Sequence, residues 1–194
     1  LSTEEYALFL QATPRFSFVT LKTMKPHHIL PHTQFSVGPA LDIKGYEGIT
    51  HLLPSLCPAF TLPTNQEEVT ARVETAHAEH AEELRTYTDK VAEVWQTKEE
   101  TFFRLASELF SIQDFPTETY TCYPTIWPLI ARDPMAHTVA FPFNVPAEEA
   151  CHVIAHEFLH ELFFHHLWNT FGETIDLNSS HVWNLSEVVN RSEE

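Results

Sequence analysis

The sequence predicts an α+β fold for this chain of 194 residues, and three observations carry that prediction. Glycine is rare (4 residues) and proline moderately frequent (13), which is typical of long helices joined by proline-punctuated irregular segments. Apolar residues recur at helical spacing over 65–113. Between Pro116 and Pro142, β-branched and aromatic residues lie among prolines, which indicates short strands. We expect a single domain over 1–194.

Residues 1–63 form an irregular N-terminal part. Short apolar pieces such as Phe16–Leu21 are interrupted by prolines at positions 26, 31, 39, 54, 58 and 63. This pattern favours a strand or two and short helical turns packed on something larger. No functional motif is legible in it.

Residues 65–113 are predicted to form one long amphipathic helix that backs the sheet, with a break near Thr97. Two overlapping capping-box patterns in Thr64–Glu68 place its start. Apolar residues from Val69 to Ile112 then follow at spacings of three, four and their multiples. The opposite face is acidic and expected to be solvated; it comprises Glu74, Glu79, Glu82, Glu83, Glu93, Glu99 and Glu100.

Residues 115–194 are predicted to hold a small mixed sheet, largely within 119–143, and two further helices. Pro146 suits a first helical turn, and the helix is expected to run over 146–168, ending before Gly172. A short last helix is expected over 180–191, with Ser179 or Ser180 as its N-cap.

The motif that carries chemistry is His156-Glu157-Phe158-Leu159-His160, an H-E-x-x-H inside the predicted helix 146–168. Residues four apart lie on one helical face, so both imidazoles can reach one metal ion. From its position, the carboxylate of Glu157 can take a proton from a metal-activated water without being a ligand.

On these residues, the segment 119–190 resembles the zincin metallopeptidases, in which an edge strand precedes the helix that carries HExxH. The resemblance implies Zn²⁺ held by His156 and His160, Glu157 as general base, and hydrolysis of a peptide or protein substrate. It also implies that the strand around Thr138–Phe141 would bind an extended peptide by β-augmentation.

A zincin needs a third protein ligand. Helical rotation places His165 and His166 on other faces than that of the two motif histidines. Similarity to the gluzincin subgroup, which takes a glutamate from a downstream helix, implies Glu187, 27 residues after His160. The N-E-x-x-S-D surroundings of that subgroup are missing, although Asn190 offers a partner for a histidine ligand.

Asp176 is the rival third ligand, because Thr174-Ile-Asp176 is faintly similar to the T-x-D of aspartate-liganded zincins. The residue that donates a hydrogen bond to stabilise the transition state is also not identified at this point. Larger gluzincins take it from a C-terminal subdomain, and only seven residues follow Glu187 here, so the donor is expected elsewhere. The residue types that suit the role are present at Tyr120, Tyr123, His137 and His181.

Charge and composition limit the partners. The net charge of −16 argues against nucleic acid and against anionic membranes as main partners. No apolar run reaches the roughly 20 residues that span a bilayer, and no secretory leader is visible, so a cytoplasmic location is expected. The chain begins at Leu1, which leaves upstream processing open. Three widely spaced cysteines favour free thiols.

Two other classes of function remain open at this point. One is a non-catalytic interaction protein that uses the acidic helix as its surface, with a vestigial metal motif. The other is a di-iron carboxylate protein, since three E-x-x-H pairs occur, at 74–77, 149–152 and 157–160. The prolines in 1–63 and 116–146 leave too little helix for the four-helix bundle that such a site needs.

Overall fold

The computed structural model describes residues 29–50, 61–128, 130–143, 145–177 and 179–191. In this part of the chain the architecture is α+β, with six α-helices and a four-stranded mixed sheet. The predicted apolar piece Phe16–Leu21 and Cys57 lie outside the described residues. Cys122 and Cys151 are buried free thiols, as expected.

The four strands of the sheet are β1 (His32–Phe35), β2 (Thr119–Thr125), β3 (Arg132–Asp133) and β4 (Thr138–Pro142). Their order in the sheet is β1-β2-β4-β3. Strands β1, β2 and β4 run parallel, and β3 is antiparallel to β4. Strands β2, β3 and β4 come from the predicted segment 119–143, whereas β1 comes from the N-terminal part.

Six α-helices accompany this sheet in the described part of the chain, and a short 3₁₀ helix at Gly172–Thr174 follows the fifth of them. The helices are α1 (Pro39–Ile49), α2 (Gln66–Glu79), α3 (Ala81–Gln96), α4 (Glu99–Phe110), α5 (Ala147–Phe171) and α6 (Ser180–Arg191). The predicted helices 146–168 and 180–191 therefore correspond to α5, which starts one residue later and ends three residues later than predicted, and to α6. No helix in the described part of the chain is both long and apolar enough to cross a membrane.

The prediction of one long helix over 65–113 is wrong in its continuity. The expected break at Thr97 is present, and a second break at His80 divides the segment into α2, α3 and α4. No large apolar residue lies between Ala76 and Leu84, so burial does not favour a straight helix across His80. The start is as predicted, because the side chain of Asn65 accepts a hydrogen bond from the backbone N–H of Glu68 at 2.9 Å.

The strand expected at the edge of the sheet, around Thr138–Phe141, is not an edge strand. Its outer side pairs with β3, where Arg132 lies opposite Val139, and Ala140 N–H donates to the carbonyl of Ala131 at 2.8 Å. This pairing occupies the backbone groups that β-augmentation by a peptide would need along this stretch. The two-residue strand β3 is too short to leave a periodic signal in the sequence.

The core beneath the HExxH helix is densely aromatic. Phe158, inside the motif, is fully buried, and its ring centroid lies 4.5 Å from that of Tyr120 and 5.7 Å from those of Phe103 and Trp95. Helix α5 packs against α3, α4, α6 and β4. The middle of α5 is therefore held on several sides, which fixes the direction of the motif's polar side chains.

The acidic face is solvated as predicted, with one exception. Glu99 is partly buried, and its carboxylate accepts hydrogen bonds from the backbone N–H of Thr33 at 2.6 Å and from the Trp95 indole at 3.2 Å. Glu99 thus ties β1 to the start of α4. Helical periodicity alone does not reveal such a contact between a residue on the polar face of a helix and a strand distant in the sequence.

Candidate metal centre

The two motif histidines lie side by side on α5. Their Nε2 atoms are 3.0 Å apart, and their rings are almost perpendicular, at 89°. His160 is buried, with 1% of its surface exposed, whereas His156 is partly exposed. Two nitrogen donors therefore point to one place, as the i, i+4 spacing predicts.

Glu187 of α6 completes the group of donors. Its Oε1 lies 3.5 Å from His160 Nε2, and one donor atom from each of His156, His160 and Glu187 lies within 4.8 Å of the others. Asp176, the rival ligand, is not in this group. The structure thus brings together the three residues that the sequence analysis favoured as metal ligands.

The position of α6 depends on contacts at its start and on a ring stack. The Ser179 hydroxyl oxygen accepts from the backbone N–H of Val182 at 3.2 Å, so Ser179 is the N-cap. Trp183 stacks on the His160 ring at a centroid distance of 5.2 Å and an angle of 12°. This stack holds α6 against the HExxH helix and places Glu187, one turn further along, beside His160.

Ser186 determines which nitrogen of His160 is available to a metal. The Ser186 hydroxyl donates its hydrogen to the Trp183 carbonyl at 2.7 Å. Its oxygen can therefore only accept from His160 Nδ1, which lies 3.0 Å away. With its hydrogen on Nδ1, His160 directs the lone pair of Nε2 toward His156 and Glu187.

Ser186→Ala should weaken zinc binding about 10- to 100-fold, because nothing would then fix the tautomer and orientation of His160. The measurement is the zinc dissociation constant from competition with a chromogenic chelator. Ser107→Ala is the matched control, since Ser107 is a buried serine of α4 whose hydroxyl also donates to the carbonyl three residues earlier. Equal zinc affinities for the two variants would contradict this role of Ser186.

The donor set suits zinc. Burial, Arg132 and His156 together lower the pKa of His160 to about 3, so its imidazole is neutral at pH 7 and can act as a ligand. Two imidazoles bound tetrahedrally at about 2.0–2.1 Å would have their nitrogens about 3.3 Å apart, close to the spacing present here. Two histidines and a glutamate form one of the ligand sets of catalytic zinc sites.

Glu157 points to the same region but pairs with an arginine. Arg132 Nη1 lies 3.4 Å from Glu157 Oε2 and 3.4 Å from the Glu157 carbonyl oxygen. Burial raises the pKa of Glu157, Arg132 and His156 partly offset that rise, and Glu187 adds to it. A half-buried carboxylate whose affinity for a proton is increased by burial is suited to act as a general base.

A cavity of about 660 Å³ is lined by residues that contact the candidate site, and its size is typical of small-molecule and peptide side-chain sites. Trp183 and Arg132 line it, which places its wall beside His160 and Glu157. His137 and Glu161 also line it, and His137 Nδ1 donates to Glu161 Oε1 at 2.6 Å. Burial raises the pKa of Glu161, and this hydrogen bond opposes the rise.

Of the four residues considered as oxyanion donors, only His137 lines this cavity. Tyr120 and Tyr123 are buried in the core, and Tyr123 belongs to a separate cluster around Tyr46 and Trp127. Burial raises the pKa of both tyrosine hydroxyls strongly. His181 is exposed on α6. The sequence shows suitable residue types but not which of them face the site.

Four further histidines of the described residues lie apart from the candidate ligands. His165 Nε2 lies 2.9 Å from the Asp114 carbonyl oxygen, and the His166 ring packs beside Phe110. Among the E-x-x-H pairs, His77 is buried against Asp42, with Nε2 3.1 Å from Oδ2, while His152 is exposed. These pairs do not converge, so the described residues offer no di-iron site.

Sequence reasoning missed Arg132, Ser186 and Glu161. Arg132 lies in a segment with no strand periodicity, and Ser186 is one of several serines in a polar helix. Glu161 directly follows the motif, and a glutamate at that position reads as an exposed helical residue, yet only 6% of its surface is exposed. In the sequence, only its position directly after the HExxH motif, next to Glu157 and His160, could have indicated that Glu161 lies near the site.

Comparison with protein-family models, with curated proteins and with solved structures found no match to this chain. What the protein does is therefore inferred from its own residues.

Proposed function

We propose that this protein is a zinc-dependent peptidase of the zincin type, close in plan to a compact gluzincin. The observation that carries the proposal is the convergence of His156, His160 and Glu187 within 4.8 Å. Two of these ligands come from an HExxH motif, and the third comes from a separate helix. The order of a strand, the HExxH helix and a ligand helix, here β4, α5 and α6, is the order that the resemblance to zincins implies.

Zinc, when bound there, would polarise a substrate carbonyl and lower the pKa of a water molecule to about 7. Glu157 accepts a proton from the attacking water, and the water oxygen bonds to the carbonyl carbon. The C–N bond then breaks, and Glu157 passes the proton to the departing amine nitrogen. Oxygen, hydrogen and charge balance in this sequence, which yields a carboxylic acid and an amine.

The cavity beside Trp183 and Arg132 is where the substrate would lie. Arg132 in its wall contacts Glu157, and Trp183 in its wall stacks on His160, so a peptide bound there would lie close to the base and the ligands. Because β3 covers the outer side of β4, we do not place the substrate on that strand. The net charge of −16 would favour the approach of basic or neutral substrates.

The test of this function begins with elemental analysis of protein purified without chelator and without a metal-affinity column. We expect one zinc per chain, and cleavage of some members of a quenched-fluorescence peptide library. A chelator should abolish cleavage, and added zinc should restore it. Absence of zinc after dialysis against a zinc excess would overturn the proposal.

The third ligand is tested in the same assay. Glu187→Gln should lower zinc affinity, since an amide oxygen is a weaker ligand than a carboxylate. Asp176→Asn is the matched control and should leave zinc affinity unchanged. The reverse result would assign the ligand to Asp176 and contradict the geometry of α6.

A further inference from the structure

Arg132 holds a position beside the candidate site that no sequence motif indicates. Only 12% of its side chain is exposed, and its guanidinium lies 5.7 Å from the centroid of the Trp183 ring. Trp183 itself stacks on His160. Arg132 thus contacts the candidate base, packs on the ring that stacks on a candidate ligand, and lines the cavity.

The strand pairing makes this position rigid. Arg132 lies on β3 opposite Val139 of β4, and the adjacent Asp133 pairs with Lys44 at 2.6 Å. The Asp133 carboxylate also accepts from the backbone N–H groups of Met135 and Ala136 at 3.0 and 3.1 Å, closing the turn after β3. A donor fixed in this way does not have to reorganise when charge develops nearby.

Some N–H groups of the Arg132 guanidinium are not used in its contacts with Glu157. The guanidinium has five N–H groups, and both of its contacts with Glu157 use Nη1. Its Nε and Nη2 make no hydrogen bond to another residue that the structure describes. A guanidinium also combines several N–H donors in one rigid plane. His137, which lines the same cavity, makes no described contact with Glu157 or with the three candidate ligands.

We propose that Arg132 is the oxyanion donor of this site: its free N–H groups bind the substrate carbonyl oxygen as that oxygen gains negative charge. This inference rests on the proposed peptidase function. When the water oxygen bonds to the carbonyl carbon, the C=O π electrons move to the carbonyl oxygen, and Arg132 donates to it. When the C–N bond breaks, the C=O bond re-forms and the charge disappears.

An interaction that strengthens only in the transition state changes kcat more than KM. Arg132→Met should therefore lower kcat by about 100- to 1,000-fold, the usual effect of removing one oxyanion-hole donor, with a much smaller change in KM and with zinc content intact. Arg132→Gln, which retains amide donors but carries no charge, should show the same split, so the test does not depend on one variant folding. Arg132→Lys should recover part of kcat.

A binding measurement separates this role from a merely structural one. A phosphonate analogue of the best library peptide carries a tetrahedral anion, and its affinity should fall in Arg132→Met by a factor similar to that in kcat. Affinity for the product peptide should change little. Arg104→Met is the control, because it removes another arginine, one that pairs with Glu108 on α4, and should leave both affinities unchanged.

The outcomes of these experiments are distinguishable. If wild-type protein binds no zinc or cleaves no peptide, the proposed function fails. If wild-type protein is active and Arg132→Met or Arg132→Gln keeps its kcat and phosphonate affinity, the assignment of Arg132 alone is overturned. Loss of zinc from these variants would also overturn it, because Arg132 would then act by holding the ligands in place.

Discussion

Replacing Glu157 by Gln is expected to lower kcat by about 100- to 10,000-fold, the usual contribution of a general acid–base residue, while the protein still binds one zinc per chain. Glutamine has nearly the same size, and its amide oxygen can still accept from Arg132. An amide cannot take a proton from water, however. The measurements are kcat on a cleaved library peptide and zinc content by elemental analysis.

The control is Glu149→Gln, which makes the same chemical change on the same helix. Glu149 is exposed in the first turn of α5, away from the ligands, and its loss should leave kcat unchanged. If Glu157→Gln lost its zinc, Glu157 would be a ligand instead of a base. If it kept full activity, another residue would be the general base.

The parts of the fold that follow local rules were predictable. Helix α6 has the predicted bounds because a serine N-cap and a polar–apolar period define them within a dozen residues. Helix α5 starts directly after Pro146, one residue later than predicted, and runs to Phe171, three residues past the predicted end. The side-by-side histidines follow from the geometry of any α-helix.

The contacts between distant segments were not predictable from local rules. Strand β3 has two residues, and its existence depends on β4 offering free backbone groups beside the turn after Asp133. The division at His80 depends on which neighbours α2 and α3 meet. The position of Arg132 beside Glu157 depends on both the sheet register and the rotation of α5, neither of which leaves a pattern within a single segment.

Glu187 is an intermediate case. Resemblance to gluzincins selected it, yet no rule from spacing alone separates it from Asp176. What decides between them in the structure is the packing of α6, where Trp183 stacks on His160 and Ser186 contacts His160 Nδ1. Two successive turns of α6 thus place a ring, a hydroxyl and a carboxylate around one histidine, which is more than a chance pairing of exposed side chains would require.

We expect that His160→Ala and His156→Ala each remove zinc binding. The loss in zinc affinity should be much larger than the loss of about 10- to 100-fold that follows when a residue supporting a ligand is removed. Each variant leaves one imidazole and one carboxylate, too few for a catalytic zinc site. Besides elemental analysis, the measurement is the thermal unfolding midpoint with and without zinc. Free zinc at 100 times the dissociation constant should stabilise wild-type protein by about 2.7 kcal/mol, and neither variant should respond.

His165→Ala is the matched control, since it removes a histidine from the same helix whose ring nitrogen lies beside the Asp114 carbonyl oxygen and not beside the ligands. This variant should keep the zinc-induced shift in full. His156→Ala is the more informative of the two ligand variants, because His156 is partly exposed and its truncation disturbs the core less than loss of the buried His160. Zinc bound at full stoichiometry by His156→Ala would exclude the site, because no zinc held by these three donors survives without one of its two nitrogens.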